Sequence, residues 1–114
     1  MVNRRADTLL PLELRILEVV ADRGAEGDHG FGIAQRLSEA GGDSRRLTAH
    51  GTLYKALGRL RDRGLLMAEW EAPEVAEEAG RPRRRTYRIS AAGRTAMRTA
   101  QTAAAGTRLG DAPA

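Results

Sequence analysis

The stretch from Leu47 to Leu66, LTAHGTLYKALGRLRDRGLL, sets the tightest limit on what this chain can fold into. At 100° per residue, Leu53, Ala56, Leu57 and Leu60 fall on one side, while Thr52, Lys55, Gly58, Arg59 and Asp62 fall on the other. The pattern predicts an amphipathic helix of about four turns. Thr48 can cap its start by accepting a first-turn N–H, and Gly64 sits where a left-handed C-terminal cap belongs. The outer face carries no large apolar side chain and offers small or basic groups, so another surface can approach it closely. Two readings fit that face: a solvated surface helix, or a recognition helix that enters a DNA major groove. The rest of the chain has to decide between them.

A chain of 114 residues has room for one small domain and a dimerising extension. Hydrophobic residues at 41% and charged residues at 30% fit a folded chain rather than a disordered one. The net charge is +4, and Lys55 is the single lysine among 19 basic residues. Arginine's planar fork suits phosphates and guanine edges, although a GC-rich genome produces the same Arg, Ala and Gly bias. Cysteine is absent, which removes disulfides, thiolate zinc sites and cysteine nucleophiles. His29 and His50 are the only histidines and lie a helix apart. No H-x-x-x-H spacing, G-x-S-x-G elbow or phosphate loop occurs, so no enzyme, metal or cofactor is expected. No apolar run approaches bilayer length and the N-terminus lacks a signal-peptide core, so a cytoplasmic protein without membrane contact is expected.

Upstream, Pro11 suits the first turn of a helix that continues to about Asp22. This helix carries two apolar stripes, Leu10, Leu14, Leu17 and Ala21 on one side and Leu12, Ile16 and Val19 almost opposite. A surface helix needs only one stripe, so the second either meets another subunit or marks a helix buried all round. Residues 23–29 read as a polar loop. Residues 30–40 read as a short helix with Phe31, Ile33, Ala34 and Leu37 inward, ended by Gly41 and Gly42. Residues 43–47 join it to the amphipathic helix, which makes a helix-turn-helix in which the first helix braces the second.

After Gly64 the pattern becomes extended. Residues 65–71 (LLMAEWE) and 86–89 (TYRI) can pair as antiparallel strands. Between them lies APEVAEEAGRPRRR, too long for a tight hairpin and too charged to be buried. Its arginine half, with Arg83, Arg84 and Arg85, offers minor-groove or phosphate contacts. The competing reading is a solvated hairpin whose acids and arginines neutralise each other. Ser90 can cap a last helix over 91–105, ended by Gly106, with Ala96, Ala100 and Ala103 as its best stripe and Met97 beside it. The expected class is mainly α with a two-stranded β-wing. It comprises a winged helix-turn-helix over residues 9–90, a C-terminal dimerisation helix over 91–105 and a disordered tail over 106–114.

Within that class the sequence resembles the PadR family of bacterial transcriptional regulators. The matching residues are His29-Gly30-Phe31-Gly32-Ile33, Gly51-Thr52-Leu53-Tyr54 with Ala56-Leu57 and Arg59-Leu60, Gly64-Leu65-Leu66, Glu69-Trp70-Glu71, and Arg84 through Gly93 (RRTYRISAAG). The likeness covers about residues 9 to 100 and is specific in combination. It implies a homodimer that binds a palindromic operator on double-stranded DNA and usually represses transcription, with an effector or signal relieving repression. It also implies that Gly51, Thr52, Tyr54 and Lys55 lie at the DNA surface. Where family members often carry Pro, this chain has His50 and Lys55, and its last helix is short and alanine-rich, as in a shorter-tailed branch.

The expected DNA-binding residues are therefore His50, Gly51, Thr52, Tyr54, Lys55, Arg59, Arg83, Arg84 and Arg85. Lys55 and Arg59, one helical turn apart, would reach base edges or flanking phosphates. The dimer interface is expected at Leu12, Ile16, Val19, Ala96, Met97, Ala100 and Ala103. Trp70 reads as a core or boundary residue, with the lining of a ligand cavity at the dimer interface as the alternative. The fold alone also serves protein-interaction modules that modulate another regulator without touching DNA, so that reading stands beside the first.

Overall fold

Pro11 opens the first helix because its missing N–H is not needed there, and α1 runs Pro11–Asp22. In the computed structural model, residues 8–39 and 50–111 are described, with side chains for 8–39 and 51–104. After a 3-10 turn at Gly24–Glu26 come β1 (Asp28–His29), α2 (Gly30–Glu39), α3 (His50–Asp62), β2 (Leu66–Trp70), α4 (Pro73–Ala79), β3 (Arg85–Ile89) and α5 (Ala91–Asp111). The expected connection at 43–47, the Thr48 cap and the His50 side chain lie outside the described residues.

The strands form an antiparallel sheet in the order β1-β3-β2. Leu66 pairs with Ile89 and Trp70 with Arg85, while Asp28 pairs with Tyr87 and His29 with Thr86. The β2–β3 pair matches the strands read from the sequence. The third strand does not, because residues 23–29 read as a loop. Asp28 and His29 have no strand propensity of their own, and β3 supplies the pairing.

α1 sits at the centre of the domain, against α2, α3, α5 and β3. Leu12, Ile16, Leu17 and Val20 are buried with Ile33 and Leu37 of α2 and with Leu53, Ala56, Leu57 and Leu60 of α3. Several residues of the expected dimer interface lie in or against this core. Leu12, Ile16 and Ala96 are already enclosed in their own protomer, and Val19 and Met97 pack against the same core. Leu10, the residue just before α1, is an exposed large apolar side chain, at 43%.

One charged residue lies inside this core. Glu13 has no exposed surface; it accepts from the Leu10 N–H at 2.9 Å and from Arg59 Nε at 2.8 Å, and Arg63 Nη1 stands 3.6 Å away. The carboxylate thus closes the first turn of α1 and pins α1 to α3.

Gly64, at φ +76°, ends α3 as expected. Its N–H donates to Arg61 O and the Leu65 N–H to Leu60 O, a paired cap that only a left-handed residue allows without strain. Ser90 caps α5 by accepting the Gly93 N–H at 2.9 Å, and its hydroxyl donates to Gly64 O at 2.7 Å. α5 continues through Asp111 instead of stopping at Gly106. A glycine inside a helix costs only about 1 kcal/mol relative to alanine, and the neighbouring alanines are the best helix formers.

Candidate nucleic-acid interface

α3 buries Leu53, Ala56, Leu57 and Leu60, and this leaves Gly51, Thr52, Tyr54 and Lys55 exposed. A Cβ placed at Gly51 or Gly58 would meet nothing within 4 Å. Their smallness therefore serves no packing inside the protomer, and it leaves the outer surface of α3 low. Arg59 is placed differently from the expectation, since its guanidinium is the partner of buried Glu13.

Tyr54 leans back from this face onto α2. A Cβ at Gly30 would overlap the Tyr54 phenol, so the glycine at the first position of α2 is what lets the ring lie there. Phe31 was expected inward but is 63% exposed, its ring stacked on His29 with centroids 6.4 Å apart. The inward positions of α2 are Gly30, Ile33 and Leu37.

The segment between β2 and β3 contains a short helix that the sequence reading did not separate from the loop. α4 starts at Pro73 and is followed by Gly80, and only Ala76 of it is buried. Glu71 organises the arginine half of the wing. Its carboxylate accepts two bonds from Arg81, at 2.7 and 2.9 Å, and one from the Arg84 N–H at 3.2 Å, while its carbonyl accepts from Arg83 Nε at 2.8 Å. The Arg81 hydrogen bonds hold the Glu71 carboxyl well below the usual range, at about 2. Arg88 pairs with Glu69 across the strands.

Thus Arg81 and Arg88 are neutralised by wing acids, as the hairpin reading supposed. Among the described residues Arg83, Arg84 and Arg85 have no carboxylate partner. Arg83 and Arg85 instead lie over the Trp70 ring, at 5.7 and 5.5 Å from its centroid. Trp70 is not a core residue; it is 57% exposed at the wing end of β2.

A pocket of about 130 Å³ joins the two parts of this surface, between Tyr54 of α3, His29 and Phe31 at the start of α2, and Arg84, Arg85 and Tyr87 along β3. His29 Nδ1 accepts the Gly32 N–H at 3.1 Å, and Nε2 stands 3.2 Å from Arg84 Nη1. Burial, then the Arg84 charge, lowers the His29 pKa, against the pull of Asp28. Burial likewise raises the Tyr87 phenol above its ordinary value. His29 was not among the expected site residues. The signal for it was local, a polar residue one position before a glycine-rich helix start. Among the described residues no group of acids and histidines could hold a metal, and no helix is long and apolar enough to cross a membrane.

Residues 16–99 match the family model of the PadR-like transcriptional regulators. Among solved structures, a PadR-like transcription factor from Bacteroides fragilis is 28% identical, with a TM-score of 0.61 over 88% of this chain and 84% of that one. A PadR-family transcriptional regulator from Eggerthella lenta shares the fold at 24% identity and a TM-score of 0.61, covering 87% of this chain and 82% of its own. A protein from Thermoplasma acidophilum does so at 22% and 0.66, covering 85% and 82%. No curated protein matches the chain significantly. With a low, basic α3 face beside an arginine-bearing wing, and with the family model spanning most of its length, the chain belongs to the PadR-like family of transcriptional regulators.

Proposed function

We propose that the protein is a homodimeric repressor that binds a palindromic operator, with α3 in the major groove and the wing on the flanking backbone. One observation carries this reading. Tyr54 on the exposed face of α3 and the wing arginines Arg84 and Arg85 border one pocket, so a single duplex can meet both elements. Thr52 and Lys55 read bases, Gly51 lets the helix lie close, and Arg83, Arg84 and Arg85 hold phosphates. His50 belongs to the same proposal at the start of α3.

The dimer forms through the outer half of α5, where Gln101, Thr102, Ala103 and Ala104 are exposed and Ala100 is half-buried, together with exposed Leu10 just before α1. Gln101 donates to Glu18 at 2.9 Å, which keeps this part of α5 alongside α1. The chain is far longer in one direction, at 60 Å, than in the others, at 28 and 27 Å, as suits a helix reaching for a second copy.

Fluorescence anisotropy against DNA from the protein's own upstream region and against unrelated DNA, at two salt concentrations, tests the reading. A preference of about 10³ or more for the upstream DNA supports an operator binder. Equal, salt-sensitive binding to both leaves a DNA-binding domain with its target elsewhere. No binding at low salt would overturn the repressor reading in favour of a protein-interaction module.

A further inference from the structure

The His29 ring stands between two donors. A neutral imidazole has one lone pair and one N–H. Its two neighbours are the Gly32 N–H at Nδ1, 3.1 Å away, and Arg84 Nη1 at Nε2, 3.2 Å away. In either tautomer one donor is satisfied and the other faces an N–H. Arg85 adds a second unmet donor at the same pocket, because its Nε is buried without a hydrogen-bond partner. An acceptor between Nε2 and Nη1 resolves the conflict. Nδ1 then keeps the lone pair that caps α2, while Nε2–H and the Arg84 guanidinium both donate outward.

The charges around the ring say what kind of acceptor fits. Asp28 stands 4.0 Å from Nε2, but its carboxylate is taken by the His29 N–H and by Arg36 Nε at 3.2 Å. Arg81 and Glu71 neutralise each other nearby. Arg84 and Arg85 have no carboxylate within ion-pair distance among the described residues, and Tyr54 and Tyr87 line the remaining walls. The pocket is therefore cationic and rich in donors. Its volume of about 130 Å³ lies below the roughly 300–1,000 Å³ of small-molecule sites. That is room for one anionic group that belongs to something larger outside.

We propose that this pocket seats a single backbone phosphate of bound DNA, bridged by His29 Nε2–H and the Arg84 guanidinium. The proposal rests on the DNA-binding reading above and identifies a clamp between α2 and the wing within it. His29 acts as a neutral donor whose tautomer is fixed by the Gly32 N–H, so the phosphate also locks the start of α2 to β3.

The test is an interference cycle. Duplexes carrying one uncharged methylphosphonate at successive backbone positions are titrated against the wild type, Arg84→Ala and His29→Asn. Asparagine keeps the cap on the Gly32 N–H while losing the reach of Nε2. At one position per half-site the methylphosphonate should weaken wild-type binding about tenfold, yet weaken each variant several-fold less. Arg84→Ala should also lower the log–log salt slope by about 0.9. On the wild type, 15N spectra of His29 should show the Nε2–H tautomer with slowed exchange once DNA is added. If specific binding persists but the losses are additive at every position, the proposal fails while the DNA-binding reading survives. If inorganic phosphate alone at millimolar concentration fixes the tautomer and no position shows coupling, the pocket holds a free anion, which also overturns it. If no duplex is bound specifically, both readings fail together.

Discussion

Arg59 offers the sharpest test of how α3 is held. As a base reader it should be replaceable without harm to the fold; as the counterion of Glu13 it should not. Glu13 has no exposed surface, and its bond from Arg59 Nε is 2.8 Å long. Breaking a buried pair by removing one partner costs about 3–5 kcal/mol. Two features reduce that figure. The Arg59 side chain is itself 41% exposed, and Arg63 remains 3.6 Å from the same carboxylate. Arg59→Ala is therefore expected to destabilise by about 2 kcal/mol, since solvent screening discounts the pair. Urea denaturation at fixed protein concentration measures it, the concentration being held because a dimer's apparent stability depends on it. Glu13→Gln keeps an acceptor for the Leu10 N–H but removes the charge, so in that background Arg59→Ala should cost much less, with a coupling above about 1 kcal/mol. Additivity within about 0.5 kcal/mol, or an unchanged urea midpoint with specific DNA binding lost, would return Arg59 to the base-reading role.

Gly58→Ala should stabilise the free protein by about 0.5–1 kcal/mol, because the added methyl meets nothing in the protomer and alanine favours the helix. If α3 lies close in the groove, the same change weakens specific DNA binding, and anisotropy beside a thermal melt reads both. The Glu71–Arg81 pair should order the wing fully above pH about 4.5 and release it as the pH falls toward about 2, because the folded state holds the carboxyl low. Trp70 fluorescence followed against pH should show that transition in the wild type and lose it in Glu71→Gln. For His29 the sign is also fixed. Its lowered pKa means that the folded state prefers the neutral ring, so its contribution is complete above about pH 6.5 and is lost as the pH falls below it. A fold that gains stability between pH 6.5 and 5.5 in the wild type but not in His29→Asn would contradict this. Leu10→Asp should shift sedimentation toward the monomer while leaving the protomer folded, since Leu10 is 43% exposed.

Much of the fold could be read because the informative residues act locally. Pro11 marks the start of α1, Gly64 and Ser90 mark the ends they cap, and the spacing of Leu53, Leu57 and Leu60 orients α3. What misled was facing. The two stripes of α1 are equally apolar, and the buried face takes Leu12 and Ile16 from one and Leu17 from the other, a choice set by where α2, α3 and α5 stand that no helical wheel contains. Phe31 was placed inward on hydrophobicity alone, although at 100° per residue it lies about 200° from Ile33. Two features were encoded but passed over. Pro73 and Gly80 frame a helix inside the wing, and the Glu within LPLEL sits three positions after Leu10, where a carboxylate can return to the helix start. The Glu13–Arg59 and Glu71–Arg81 pairs span 46 and 10 residues, and a list of surface charges cannot match such partners before the chain is folded.

For the proposed operator-binding dimer, the Ser90 junction makes groove spacing a question of leverage. One hydroxyl ties the last carbonyl turn of α3 to the first turn of α5, at 2.7 Å on one side and 2.9 Å on the other. A swing of either helix relative to the other would strain this bridge. In a dimer built on α5, the angle between the two copies of that helix would then fix how far apart the two α3 helices stand, against a duplex whose successive grooves recur about every 34 Å. A small tilt at the seam, multiplied along the arm from the α5 contact to α3, becomes a large change in groove spacing. The alanine-rich end of the chain would thus gauge the length of DNA that the distant basic surface can accept.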